Sequence, residues 1–251
     1  MAIAHGSRDP RAAAAVERLL DEVRLRAAGH GLPDLEVATA YLDHAPPSPP
    51  QVLSALHGGG ACSVVALPLL LTDAYHSKAD IPAVLRGAGA ALPGLRISYG
   101  DTLGPHRLLI TAMERRLAEA GVPTGDHGTA IVLAAAGSTD PGASAVIYRL
   151  ARDWQALRGW RVVPAFASAA SPTPAQAVAS LRGDGAARVA VATYLLAPGL
   201  FADKVRDTSL AAGASAVTDV LGAAPELAEL VLRRYAAASA GLPRSAHART
   251  A

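Results

Sequence analysis

Residues 1–10, Met-Ala-Ile-Ala-His-Gly-Ser-Arg-Asp-Pro, and residues 132–141, Val-Leu-Ala-Ala-Ala-Gly-Ser-Thr-Asp-Pro, decide the fold. Each stretch is an apolar run that ends in a Gly-Ser loop, and the second lies 131 positions after the first. The runs predict buried strands. Only Ala2–Ala4 precede the first loop, whereas such strands usually have about five or six residues. We therefore expect the given sequence to omit residues at its start.

Strand and helix patterns alternate through the first half of the chain. The predicted strands are Ala2–Ala4, Glu36–Tyr41, Ser63–Leu71 and Leu95–Tyr99, and the predicted helices are Pro10–Gly29, Pro50–His57, Ile81–Gly87 and Pro105–Ala120. This alternation indicates right-handed βαβ units and an open parallel sheet. Ligands of such sheets bind beyond the carboxyl ends of the strands, so the loops after the strands are where functional residues are expected.

The whole pattern then occurs a second time. Val189–Leu196 matches Val64–Leu71 at an offset of 125 residues, and Leu221-Gly222 matches Leu103-Gly104 at an offset of 118. A repeat of this length is too long for a solenoid. The sequence therefore predicts an α/β fold of two tandem flavodoxin-like domains, each a four-stranded, mainly parallel sheet flanked by helices, with a cleft between them. The predicted boundaries are 1–124, 125–240 and a tail at 241–251.

Composition excludes several classes of protein. With 51% hydrophobic and 18% charged residues, the 251-residue chain is not a disordered protein. The single cysteine, Cys62, excludes an intramolecular disulfide and a cysteine-based zinc or iron–sulfur site, and it favours the cytoplasm. The balance of 23 basic and 21 acidic residues argues against a nucleic-acid partner. No apolar stretch approaches the roughly 20 residues of a membrane span.

Three polar positions distinguish the first copy from the second. His5 corresponds to Ala136, Asp43 to Ser168 and His76 to Phe201. Because His5, Asp43 and His76 each follow a predicted strand, we expect them to converge above one edge of the sheet. Two histidines and a carboxylate can bind a divalent metal or transfer protons. The alternative interpretation is that three polar residues were lost from the second copy by drift.

Other candidates are less specific. The Gly6-Ser7 loop fits an anion at a helix N-terminus, although neither a Walker motif nor Gly-x-Gly-x-x-Gly is present. Arg8, Arg11 and Lys78 either bind substrate carboxylates or form a solvated face. His106 is expected at a helix start, and the remaining histidines of the first half, His30, His44 and His57, are expected on the surface.

The motifs that contain these residues, taken together, resemble those of a known protein family. The motifs are, in order, Ala-His-Gly-Ser-Arg-Asp-Pro-Arg at 4–11, Tyr41-Leu42-Asp43 with a following proline, Pro68–Leu71 continuing through His76 to Asp80-Ile81-Pro82, and Leu103-Gly104-Pro105-His106. Together, over about residues 2–238, they resemble the sirohydrochlorin chelatases of the CbiX/SirB type, or class II chelatases. Large members of this family are pseudo-dimeric fusions of a chelatase-like domain, which implies a monomer with pseudo-two-fold symmetry.

The resemblance implies an ATP-independent lyase that inserts a divalent metal, Fe²⁺ or Co²⁺, into a tetrapyrrole substrate, sirohydrochlorin, without a permanently bound cofactor. It implies that His5 and His76 bind the metal and accept protons, and that Asp43, where the family usually has glutamate, assists catalysis as a base or by orienting a histidine. The predicted substrate-binding residues are Gly6, Ser7, Arg8, Tyr75 and Lys78.

The choice of metal and the class of function have alternatives. Iron insertion, which leads to sirohaem, is favoured because this chain has two domains and no His-rich tract, and in both respects it looks most like members of that pathway. Cobalt insertion, in cobalamin biosynthesis, is the first alternative. A tetrapyrrole- or metal-binding protein without turnover is an alternative of another class, and an α/β scaffold with incidental histidines is a further one.

Overall fold

Strands and helices alternate in the computed structural model, which describes residues 1–72, 79–240 and 242. The first half comprises β1 (Ala2–Ala4), α1 (Pro10–Ala27), β2 (Thr39–Tyr41), α2 (Pro49–Gly58), β3 (Ser63–Pro68), α3 (Ile81–Ala91), β4 (Arg96–Tyr99) and α4 (Arg107–Glu119). The second half comprises β5 (Thr129–Ala135), α5 (Pro141–Arg158), β6 (Val162–Phe166), α6 (Pro174–Gly183), β7 (Arg188–Tyr194), α7 (Leu200–Ala211), β8 (Ala216–Val217) and α8 (Pro225–Ser239).

Both halves contain a four-stranded sheet of the same topology. The strand orders are β2-β1-β3-β4 and β6-β5-β7-β8, and every pairing is parallel. Ala4 pairs with Tyr41 in the first sheet, as Ala135 pairs with Phe166 in the second. The predicted duplicated α/β fold is confirmed. Strand β3 is shorter than predicted because its pairing with β1 ends at Ile3 and Pro68, and the Leu71 carbonyl bonds to Tyr194 instead.

The two Gly-Ser loops begin their helices in the same way. The Asp9 carboxylate accepts a hydrogen bond from the Arg11 amide at 2.9 Å, and Asp140 accepts one from the Gly142 amide at 2.8 Å. Both aspartates are N-caps, followed by proline at the first helical position. The recurrence of Asp-Pro in the sequence is therefore explained by helix capping.

Four helices lie between the two sheets. Buried residues of α1, α4, α5 and α8 belong to one apolar core that also includes the inner faces of both sheets. Helices α2 and α3 cover the outer face of the first sheet, and α6 and α7 cover the outer face of the second. The molecule is thus built around a core that the two halves share.

The last helix of each half packs against the other half. Helix α8 contacts β3, β4 and α1, while α4 contacts β7. Hydrogen bonds accompany this packing of each last helix against the other half. Glu114 of α4 is buried and accepts hydrogen bonds from Trp154 at 3.0 Å and from Arg158 at 2.7 Å, both on α5. Because each sheet is covered by a helix from the other half, the relative placement of the halves is fixed by the core.

No helix among the described residues combines the length and apolarity required to cross a bilayer.

Candidate functional site

A cleft of about 1040 Å³ opens between the halves, at the carboxyl ends of the strands. The loops after β1, β2 and β3 line one side, and the loops after β5 and β7 line the other. This is where parallel sheets bind ligands. Its volume is at the upper end of the roughly 300–1,000 Å³ typical of small-molecule sites. A bulky small-molecule ligand therefore fits between the halves.

Gly6 allows the loops after β1 and β2 to approach closely. Its φ is +92°, and a Cβ at this position would overlap the carbonyl oxygen of Asp43. The Asp43 amide also donates to the His5 carbonyl at 2.9 Å. Gly137, with φ +93°, approaches the Ser168 carbonyl in the same manner. Only a residue without a side chain fits this contact, which brings the two loops together in both halves.

His5 lies at the end of β1 with an exposed side chain that lines the cleft. Its Nδ1 atom is 3.1 Å from the Gly6 carbonyl oxygen. In the tautomer with the proton on Nδ1, that proton is donated to the carbonyl and Nε2 carries the lone pair. This tautomer is the one required of a histidine that binds a cation through Nε2.

His44 also lines the cleft, and it is exposed, as expected of a surface residue. Its ring centroid is 6.1 Å from that of His5, and the rings are tilted by 43°. The backbone of His44 is left-handed, with φ 64°, and Ala169 at the matched position has φ 58°. The signal that was missed is in the sequence: comparison of the two copies, which singled out His5, also shows the replacement of His44 by Ala169.

Asp43 faces His44 and is not among the residues that line the cleft. Its side chain is 66% exposed. The Oδ1 atom accepts a hydrogen bond from the His44 amide at 2.7 Å and lies 3.4 Å from Nδ1 of the same residue. The structure therefore places this carboxylate behind an imidazole rather than at the open face of the site.

The predicted substrate-binding residues of the first loop, Gly6, Ser7 and Arg8, all line the cleft. The Ser7 hydroxyl accepts a hydrogen bond from the Asp9 amide at 3.1 Å, as Ser138 does from Asp140 at 3.0 Å. Ser7 therefore supports the helix start in both copies. Arg8 is exposed at the edge of the cleft, where a guanidinium group is available to an anionic ligand.

Arg11 is engaged in bonds within the protein. Its guanidinium donates to the Asp9 carboxylate at 3.0 Å and to Asp203 of α7 at 3.3 Å. Asp203 also lines the cleft. Arg11 therefore links α1 to α7 across the edge of the cleft, and its charge is already compensated.

Part of the predicted site lies outside the described residues. Tyr75, His76 and Lys78 belong to residues 73–78, for which no structure is described. Within the residues that are described, no three His, Cys, Asp or Glu side chains are grouped as in a closed metal site. Among the described histidines, His5 and His44 line the cleft, and Asp43 contacts His44.

The second half contributes an apolar side and one buried polar contact. Leu200 and Phe201, at the start of α7, line the cleft with largely exposed side chains. The buried Tyr194 hydroxyl donates to the Leu71 carbonyl at 2.9 Å, and burial raises the pKa of this phenol. The second half therefore contributes apolar side chains to the cleft, but no described histidine of this half lines it.

Comparisons with known proteins agree with this architecture. The family model CbiX matches residues 1–120 and 130–238. The chain is 27% identical over 209 residues to the sirohydrochlorin cobaltochelatase of Priestia megaterium, covering 82% of this chain and 66% of the relative. It is 29% identical over 147 residues to the sirohydrochlorin ferrochelatase of Bacillus subtilis, covering 58% of this chain and 56% of the relative. These matches thus span only about half to two thirds of the curated relatives.

Two solved structures show the same fold. SirB from Bacillus subtilis with Fe³⁺ superimposes with a TM-score of 0.81 at 24% identity, over 95% of this chain and 94% of the other. CbiX, described as the terminal enzyme for biosynthesis of siroheme in denitrifying bacteria, superimposes with a TM-score of 0.64 at 20% identity, over 94% and 97% of the two chains. At these identities the likeness concerns the fold alone.

Proposed function

The chain belongs to the CbiX family, and we propose from this premise that it is a chelatase that inserts a divalent metal ion into sirohydrochlorin. One observation carries the proposal: His5 stands at the edge of a cleft of about 1040 Å³ between two halves of the family's fold. The names of the curated relatives, sirohydrochlorin cobaltochelatase and ferrochelatase, support the same substrate.

The cleft suits a flat, anionic macrocycle. Its sides are mainly aliphatic, with Leu69 and Leu71 from the first half and Leu200 and Phe201 from the second. Such surfaces pack against the faces of a tetrapyrrole ring. Sirohydrochlorin also has peripheral carboxylates, and Arg8 at the edge of the cleft is a cation for one of them. The volume of the cleft, its apolar sides and the exposed Arg8 therefore support this substrate.

The reaction exchanges two protons for one cation. A divalent metal ion and the free macrocycle give the metallated macrocycle and two protons, which leave the pyrrole N–H groups. His5 is suited to both parts of this exchange, because its Nε2 atom can present the metal and then accept a proton. Its exposure allows release of that proton to solvent. Residues of the chain supply this chemistry in the proposed mechanism, which requires neither ATP nor a resident cofactor.

Iron is the metal of the proposed reaction, and cobalt is the alternative. Imidazole binds both ions, and the curated relatives include names of both kinds. The preference for iron rests on the resemblance of this long form to members of the sirohaem pathway. The role of His76, the monomeric state and the cytoplasmic location stay predictions.

The proposal is tested by anaerobic incubation of the chain with excess sirohydrochlorin and Fe²⁺ or Co²⁺, followed by absorption spectroscopy. We expect many turnovers per chain, and a fall of about a hundredfold in the catalysed rate for His5→Ala, since positioned acid–base groups contribute roughly 10²–10⁴-fold. His57→Ala is the matched control, because His57 does not line the cleft. A spectral change that stops at one equivalent would indicate a binding protein, and an unaffected His5→Ala rate would contradict the site.

A further inference from the structure

The loop after β2 places a second imidazole beside His5. The His44 ring lies 6.1 Å from the His5 ring, centroid to centroid, and both side chains line the cleft. A metal about 2.1 Å from a ring nitrogen is about 3 Å from the ring centroid, so two imidazoles on one ion have centroids about 5–6 Å apart. The observed separation of the two rings is therefore close to that of two imidazoles bound to one cation.

The hydrogen-bonding sides of both rings face the protein. Nδ1 of His5 lies 3.1 Å from the Gly6 carbonyl, and Nδ1 of His44 lies 3.4 Å from the Asp43 carboxylate. Histidines that bind metals commonly donate their second nitrogen to a carbonyl or a carboxylate, which fixes the ring and the tautomer. In both residues the Nδ1 atom therefore faces an oxygen atom of the protein, while the side chain lines the cleft.

The backbone of the loop does not require histidine at this position. His44 has a left-handed φ of 64°, which is uncommon for a residue with a side chain, yet Ala169 adopts φ 58° at the matched position of the second half. The loop conformation is thus imposed by its surroundings, including the contact of Gly6 with the Asp43 carbonyl. Alanine satisfies the structural requirement, and the imidazole of His44 adds a group that the fold does not need.

We propose that His44 is a metal-receiving residue that acts together with His5, and that Asp43 is the positioning residue that orients the His44 ring. The carboxylate also places a negative charge next to the approaching cation. The assignment deepens the proposed chelatase function and rests on it for the identity of the reaction. The binding of a divalent cation by the two imidazoles can be measured without the tetrapyrrole.

The experiment is an anaerobic titration of the full chain with Co²⁺, followed by calorimetry and by the visible absorption of the bound ion. We expect His44→Ala to weaken Co²⁺ binding at least tenfold and to change the spectrum, and Asp43→Asn to weaken it about tenfold, the lower end of the range for an outer partner of a metal ligand. Ala169→His is the matched control. It introduces the same side chain where the neighbouring position is Ala136, and it should leave affinity and stoichiometry unchanged.

The results separate this inference from the proposed function. Thermal unfolding without metal should be unchanged in His44→Ala, because Ala169 shows that alanine fits the loop. If wild-type protein inserts metal and His44→Ala retains its Co²⁺ affinity, spectrum and insertion rate, the role of His44 is refuted and the chelatase function stands. If His44→Ala weakens Co²⁺ binding but wild-type protein inserts no metal, the metal-receiving pair is supported and the proposed function fails.

Discussion

The phenolic oxygen of Tyr194, in the second half, lies 2.9 Å from the carbonyl oxygen of Leu71, in the first half, and donates a hydrogen bond to it. Tyr194 is fully buried, whereas the residue at its matched position in the first half is Leu69. Leu69 has no hydroxyl group, so the first half cannot donate the equivalent hydrogen bond to the second half from this position. The half that has lost the histidines has a polar group of its own, and it holds the loop after β3, which lines the cleft.

Tyr194→Phe tests this contact. Removal of the hydroxyl leaves the half-buried Leu71 carbonyl without this donor, and an intramolecular hydrogen bond contributes about 0.5–1.5 kcal/mol. We expect the free energy of unfolding, measured with urea, to fall by that amount. Tyr148→Phe is the control, because the Tyr148 side chain is largely exposed and its hydroxyl is 3.4 Å from the Ser171 carbonyl. Equal effects of the two substitutions would contradict the prediction.

Gly6→Ala and Gly137→Ala form a second matched pair. Both glycines have φ above +90°, and a Cβ on either would overlap a carbonyl oxygen. We expect each substitution to destabilise the protein by about 1–3 kcal/mol, the cost of a strained backbone. Only Gly6→Ala should also reduce metal insertion, because it separates the loops of His5 and His44. A comparable loss of insertion in Gly137→Ala would mean that the effect reflects stability alone.

Arg8 and Arg11 should differ in their effect on substrate binding. Arg8 is exposed at the cleft, whereas Arg11 is bonded to Asp9 and Asp203. We expect Arg8→Ala to raise the KM for sirohydrochlorin about tenfold, since hydrogen bonds to charged groups contribute about 1.5–3 kcal/mol. Steady-state kinetics should show a smaller change for Arg11→Ala. A larger increase in KM for Arg11→Ala would reverse the assignment.

His106 makes stability depend on pH. It is the N-cap of α4, where its Nδ1 accepts a hydrogen bond from the Leu108 amide at 3.1 Å, which confirms the expected helix start. Burial lowers the pKa of His106, and the charges of Arg234 and Arg233 lower it further. The contribution of this cap is therefore present above the ordinary histidine pKa of about 6.5 and is lost as the pH falls through the lowered value.

The measurement is the free energy of unfolding between pH 7.5 and pH 5. Replacement by His106→Asn supplies a capping oxygen that does not titrate. We expect the fall in stability over this range to be smaller in the variant by about 1 kcal/mol, the usual contribution of an N-cap. Parallel curves for the two proteins would show that protonation of His106 does not break the cap.

The sequence was sufficient to predict the duplication and the loops that line the cleft, because strand patterns, Gly-Ser loops and their spacing are local features. The differences between the two copies also pointed to His5, which lines the cleft, and to Asp43, which contacts His44. His44 was missed because a polar loop residue is usually solvated, and the left-handed conformation that directs it into the cleft depends on the contact between Gly6 and Asp43. That contact joins residues far apart along the chain.

The packing of the last helices was beyond prediction for a different reason. The spacing of apolar residues in Pro105–Ala120 shows that this segment has a buried face, but it does not show which sheet that face covers. In the structure α4 lies against β7 of the other half, and α8 lies against β3 and β4. The hydrogen bonds from Trp154 and Arg158 to Glu114 that accompany this arrangement have no local sequence pattern.

The exchange of α4 and α8 has a consequence for the engineering of the chain. A break in the connecting segment around Gly125 would leave two fragments, and each would expose core residues that a helix of the other fragment covers in the intact chain. Their exposed surfaces would be apolar and complementary, so we expect the two fragments to associate when they are mixed. The contact between the halves is thus supplied by the core, and the connecting segment only keeps them in one chain.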